Sequence, residues 1–212
     1  MKRMRATLTG RGRAVVRAMM GVCAAAGLVV LGAGPASAAP VPLDYPITGV
    51  THLAGTDSDL NLGPGTLKMN VDLNAGTITG NTIIPPATGS FKTFDLLPVT
   101  ATTEFVETEP TTGTISTTGQ VNTTSKIKLR ITSLKILGIP QLIGPWCETE
   151  VPATINLQSQ PGFSPFLGGD MAGTYTIPKF EHCLLLTPVI NLLIPSDGNT
   201  ISLTLGRAQA GS

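Results

Sequence analysis

The chain has little charge, few aromatic rings and hardly any cysteine, and each shortage closes a route to function. Trp146, Tyr45 and Tyr175 are the only Trp and Tyr residues it has. A sugar-binding platform built from stacked rings is therefore poorly supplied. His52 and His182 are the only histidines and no CxxC spacing occurs, so a metal centre lacks soft ligands. No GxSxG elbow, HExxH pair, GxxxxGK[ST] loop or GxGxxG turn is present. Beyond the N-terminal region the most apolar run is Leu184–Ile194, 11 residues interrupted by Thr187, Pro188 and Asn191. A membrane-spanning helix needs about 20, so no transmembrane anchor is expected.

The first 38 residues read as an export signal. Lys2, Arg3, Arg5, Arg11, Arg13 and Arg17 form a basic start with no acidic residue. A small-and-apolar stretch runs from Met20 to Ala33, and Ala36-Ser37-Ala38 fits a cleavage site. Cys23 follows Val22 and precedes most of the apolar run, which argues against lipid attachment. The expected product is one domain, residues 39–212, secreted to the extracellular or cell-wall space.

Those six basic residues come off a total of 14, leaving eight against 13 acidic ones, a formal charge of −5. A nucleic-acid partner calls for the opposite sign. Cys147 and Cys183 then remain as an even pair in an exported chain, the setting for one disulfide.

Gly and Pro recur at short intervals and Thr is abundant, the composition of a β protein with many turns. The clearest strand is Thr66–Leu73, where Leu67, Met69, Val71 and Leu73 alternate with polar residues. Asn74-Ala75-Gly76 supplies a turn into a returning strand, Thr77–Ile84. Further strands are expected at Ile47–Leu53, Ser90–Leu96, Val99–Val106, Gln120–Leu137, Ala153–Leu157, Gly173–Ile177 and Thr200–Leu205. Within Gln120–Leu137 the apolar parity changes between Ile131 and Leu134, which predicts a bulge near Thr132-Ser133. Thr187 as N-cap and Pro188 at the first helical position predict one short helix ending before Pro195. The expected fold is an all-β antiparallel sandwich, or alternatively a closed β-barrel. A short echo, Gly76-Thr-Ile78-Thr-Gly80 against Gly169-Asp-Met171-Ala-Gly173, marks either two related halves or one Gly–strand–Pro device used twice.

Several constellations invite chemistry, each beside a plainer reading. Asp57, Asp59 and Asn61 alternate as calcium-loop oxygens do, yet Leu62 and Lys68 stand where such a loop needs Gly and Glu. An Asx-rich turn explains them without an ion. Lys126, Lys128 and Arg130 share a strand face near Lys135. They form either a docking stripe for an anionic surface or one half of cross-strand pairs with Glu104, Glu107 and Glu109. His182 beside Glu181 is the best general-base candidate for a hydrolase, but no nucleophile is nominated. Trp146 beside Cys147 is expected to pack on the disulfide in the core.

Two loops are more apolar than loops need to be, Gly138–Trp146 and Pro161–Gly169. With the 184–194 segment they are expected to wall an apolar ligand pocket at one end of the fold, lined by Ile139, Leu142, Trp146, Phe163, Phe166 and Leu185. They serve otherwise to close the core, or as an exposed patch for another protein.

The stretches TYTIPKFEHCLLLTPVINLLIPSDGNTISLTL and SFKTFDLLPVTATTEFVETEPTTGTI resemble a group of exported actinobacterial proteins without an assigned function. Their distinctive elements are aromatic–x–x–Cys, TP-x-IN-x-LIP and GNT-x-SLTL. The resemblance implies a secreted protein with a Thr-rich β body, and it transfers no catalytic or binding residue. The functional expectation is a non-enzymatic binding or cell-envelope protein without a cofactor or metal, holding an apolar, lipid-like ligand. The alternatives are an extracellular hydrolase with an unrecognised site and a structural or adhesive surface module.

Overall fold

The computed structural model describes residues 39–93 and 96–211. The expected export signal lies outside them. The strands form along apolar/polar alternations, and their ladders close a ring. Strand β1 (Val41–Leu53) pairs with β2 (Ser58–Asp72), which pairs with β3 (Thr77–Ile83). Next, β3 pairs with β5 (Leu97–Ile115), and β5 with β6 (Val121–Ile136). From β6 the ring continues through β9 (Ala153–Ser159), β10 (Gly169–Ile177) and β12 (Ser196–Leu205) back to β1. Every ladder is antiparallel.

Eight strands thus make a closed barrel, the second of the two architectures the sequence allowed. The sandwich is displaced because β6 pairs along one edge with β5 and along the other with β9, leaving no break between two sheets. Outer strands decorate it. β4 (Ala87–Thr93) lies on β5, β7 (Ile139–Pro140) and β8 (Glu148–Thr149) on β6, β11 (Phe180–Glu181) on β8, and β13 (Gln209–Ala210) on β1.

The inward positions fill the core. Ile47, Ile131, Met171 and Ile177 are essentially inaccessible. Outward positions are mostly polar, such as Lys68 and Asn70 on β2 and Thr200, Ser202 and Thr204 on β12, with Val41, Val50 and Ile83 the exposed apolar exceptions on β1 and β3. That is the reverse of a transmembrane barrel, which turns its apolar residues outward. No helix among the described residues is long and apolar enough to cross a membrane.

The predicted bulge is present. Thr102 faces Ser133 and Thr103 faces Ile131, so Thr132 is the extra residue that lets both Ile131 and Leu134 point inward. The turn before β3 is held by Asp72, whose Oδ1 accepts from the Asn74 and Ala75 N–H groups at 2.9 Å. The echoed segments fall on β3 and β10, where Ile78 and Met171 point inward. Gly80 and Gly173 each sit where a side chain would collide with a neighbouring strand's carbonyl, of Lys68 and Asn156 respectively.

The interior is not wholly apolar. Thr111 and Ser125 share a 2.7 Å hydroxyl bond, and Thr111 donates to the Glu107 carboxylate at 2.9 Å. The same carboxylate accepts from the Thr82 N–H at 3.2 Å, closing the wall where the β3–β5 ladder ends. At the end where β1 turns into β2, fully buried Asn199 accepts from the Ala54 N–H at 3.0 Å and donates to the Tyr175 and Ser196 carbonyls. Burial pushes the Tyr45 and Tyr175 phenols above their ordinary range.

Candidate binding surface

Two stretches without a charged residue meet at the Asn199 end of the barrel: 136–147, which leaves β6, and 183–196, which carries the helix. The Cys147–Cys183 disulfide joins them, with both residues fully buried. The first loop is held along its length. Ile139 and Pro140 pair with β6, and the Gln141 N–H donates to the Leu134 carbonyl at 2.8 Å. Gly144 has no room for a side chain, because the His182 carbonyl occupies the space. The Ile131 N–H donates to the Cys147 carbonyl at 2.8 Å, tying the loop to β6.

Helix α1 (Thr187–Leu193) follows a single 3₁₀ turn, Leu184–Leu186. Ile190 is its one buried residue. The Asn191 side chain accepts from the Phe180 N–H at 2.7 Å and donates to the Phe180 carbonyl at 2.9 Å, fastening the helix to β11. Thr187 is the first helical residue and not the cap. Its hydroxyl serves the turn instead, accepting from the Cys183 N–H at 3.1 Å and donating to the Leu184 carbonyl at 3.0 Å.

This well-fastened scaffold presents apolar side chains to solvent. Leu142 is 83% exposed, Leu185 94% and Leu192 73%, with Leu137, Ile139, Leu184 and Val189 beside them in the sequence also exposed. Trp146 does not pack on the disulfide in the core, as its neighbour suggested, but is 61% exposed. Its ring carries the Arg130 guanidinium 4.9 Å from the centroid. Leu137, His182 and Leu184 adopt left-handed φ angles of 53°, 58° and 57°. Such angles are uncommon outside glycine and persist only where surrounding structure enforces them.

The six expected pocket residues therefore divide. Ile139, Leu142, Trp146 and Leu185 belong to this cap and are exposed. Phe163 and Phe166 lie at the opposite end. Phe163 lines a small internal cavity with Tyr45, Ile115 and Val121, and the Phe166 carbonyl accepts from the Ala208 N–H at 3.1 Å. The physical reason is strand direction: 138–146 follows β6 at one mouth, whereas 160–168 joins β9 to β10 at the other.

The basic stripe is consumed in pairs. Lys126 meets Glu109 at 3.0 Å and Arg130 reaches Glu104 at 3.5 Å, as the cross-strand reading expected. Glu107 instead serves the barrel wall. Glu148, which sequence reading missed, takes Lys128 on Oε1 at 2.9 Å and Arg130 on Oε2 at 2.7 Å. The Lys128 hydrogen bond, with Arg130 beside it, holds the Glu148 carboxyl below the usual range. A Ser-x-x-Lys spacing at Ser125 and Lys128 carries no chemistry, since Ser125 points inward to Thr111 and Lys128 outward to Glu148.

His182 is exposed, and its nearest charged partner is the Glu181 carboxylate at 3.7 Å. The Asp59 carboxylate accepts a 2.9 Å hydrogen bond from His52 Nδ1, while the Asp57 side chain is 97% exposed. Among the described residues no group of three or more His, Cys, Asp and Glu side chains is arranged to hold a metal ion. No protein-family model, curated protein or solved structure matches the chain.

Proposed function

We propose that this is an exported, non-enzymatic binding protein that meets an apolar component of the cell envelope through the cap at the disulfide end. The observation that carries the reading is the exposure of Leu142, Leu185 and Leu192 on segments fastened by a disulfide, ladder bonds and the Asn191 clasp. Burying large apolar side chains is the main source of fold stability, at ~25 cal/mol per Å². Contiguous apolar surface left out of the core marks a surface used for binding. The disulfide suits an oxidising compartment.

The test is co-sedimentation of the protein with washed envelopes of an actinobacterial host. The variant Leu142→Ser, Leu185→Ser, Leu192→Ser should keep the fold and lose at least about tenfold in apparent affinity, roughly 1.4 kcal/mol. Equal sedimentation of variant and parent would remove the cap from the binding reaction.

A further inference from the structure

The barrel interior holds three voids in a row. The first, about 50 Å³, lies under the cap end and is lined by Leu60, Phe91, Phe105, Leu129 and Ile177. The second, about 40 Å³, shares Thr51, Phe105, Leu129 and Tyr175 with the first. The third, about 20 Å³, shares Leu67, Met69, Thr123, Met171 and Leu205 with the second. Only one layer of side chains separates each void from the next. Between the last two, that layer includes both methionines of residues 39–211, the side chains most able to change shape without strain.

The linings are mainly apolar and carry no charge except Asp59 at the mouth; in the second void the Thr111 hydroxyl is already bonded to Ser125 and Thr82. Cavities lined mainly by apolar side chains take up small apolar molecules. One polar handle faces the junction of the first two. The Thr51 hydroxyl donates to the Thr200 carbonyl at 2.9 Å, so its 2.8 Å contact with Tyr175 uses the phenol as donor. Tyr175 Oη then keeps a lone pair that an incoming hydroxyl can satisfy. Burial keeps the phenol protonated in this role.

The wall beside the first void has a seam. The ladder of β2 with β3 begins only at Thr66, so Ser58–Gly65 has a partner on the β1 side alone. Strand β4 lies against that stretch and bonds only to β5. A Cβ added at Gly89 would lie 3.0 Å from Leu60 Cδ1, so the two strands touch through side-chain packing. Parting them breaks no ladder hydrogen bond among the described residues.

We infer that the barrel takes up a neutral, unbranched aliphatic alcohol through the β2–β4 seam, its chain along the row of voids and its hydroxyl on Tyr175. An eight-stranded barrel is just wide enough to be filled by side chains or to hold one small ligand, and a single chain in line with the axis is the shape that joins these voids.

The probe is 1-hexanol, read by the ¹³C-methyl signals of Met69 and Met171. Saturable shifts of both are expected, and their absence would overturn the site. Leu60 Cβ and the Gly89 Cβ position are 4.0 Å apart, within the ~3.5–4.5 Å span of a disulfide. Oxidised L60C/G89C should take up hexanol at least about tenfold more slowly and recover on reduction, with the parent in the same reductant as control. Uptake at the parent rate would overturn the seam. Tyr175→Phe needs no cross-link to form and should weaken hexanol binding about tenfold, a loss of one buried hydrogen bond. Unchanged affinity there would overturn the placement of the hydroxyl.

Discussion

The barrel wall and the cap obey opposite rules. Along β6 the inward residues Ile127, Leu129 and Ile131 are buried, while Lys126, Lys128 and Arg130 face out and are paired. In the cap, a few residues further on, Leu137, Ile139 and Leu142 face out with no charge between them. Folding explains the first arrangement completely, since each apolar side chain is removed from water. It does not explain the second, because the cap residues that hold the fold together are others: Cys147, Cys183, Ile190 and Asn191. Core formation therefore leaves the exposure of Leu137, Ile139 and Leu142 unaccounted for, and the binding role proposed for the cap rests on that contrast.

The contrast between wall and cap is tested most severely by placing the same substitution in each. Leu129→Asp buries a carboxylate among apolar side chains and should prevent stable folding, a loss of more than ~4 kcal/mol. Leu142→Asp should change stability by less than ~0.5 kcal/mol, as exposed sites do. Denaturant midpoints of the two variants decide the matter. A large cost at Leu142 would make the cap part of the core and remove the reason for calling it a binding surface.

Next in size is the staple itself. Cys147→Ser opens a loop with sequence separation 36, and the chain-entropy estimate for such a loop is ~3–4 kcal/mol. Thermal unfolding of the oxidised protein should fall accordingly, while the wall strands far from the cap keep their amide protection at low temperature. Loss of protection across the whole barrel would show that wall and cap unfold as one unit.

The wall was the legible part of the chain. Alternation of Leu67, Met69 and Val71 and the parity change at Thr132-Ser133 report which face of a strand is buried, so these could be read directly; Leu73, placed on the same face, is instead exposed past the end of β2, and the Asp/Asn-rich run read as a turn is the first half of that strand. Alternation says nothing about which strand edges meet, and ring closure is a matter of edges, so sandwich and barrel stayed open. The cap was half legible. Its apolar content stood out, but the 138–146 and 161–169 loops look alike in composition, and only the alternating direction of the barrel strands sends them to opposite mouths. Glu148 was invisible for another reason: it sits on a two-residue strand with no period, carried beside Lys128 and Arg130 by the loop that the disulfide closes.

Glu148 joins the two regions, and its removal should cost less than loss of the disulfide. The residue follows Cys147 in the cap and neutralises two cations of the wall, with its side chain only 14% exposed. Its carboxyl titrates below the usual range in the folded protein, chiefly through the Lys128 hydrogen bond. A depressed folded value means the stabilisation is fully present above the unfolded carboxyl pKa, about 4.3, and is lost as pH falls through the folded value. Glu148→Gln should therefore cost ~1–3 kcal/mol at neutral pH, the worth of hydrogen bonds to charged groups. The cost should shrink in acid, where the parent has lost the same charge. Stability curves of parent and variant should converge as pH drops below about 4.3. Parallel curves across that range would mean that the pair binds wall to cap through shape and not through charge.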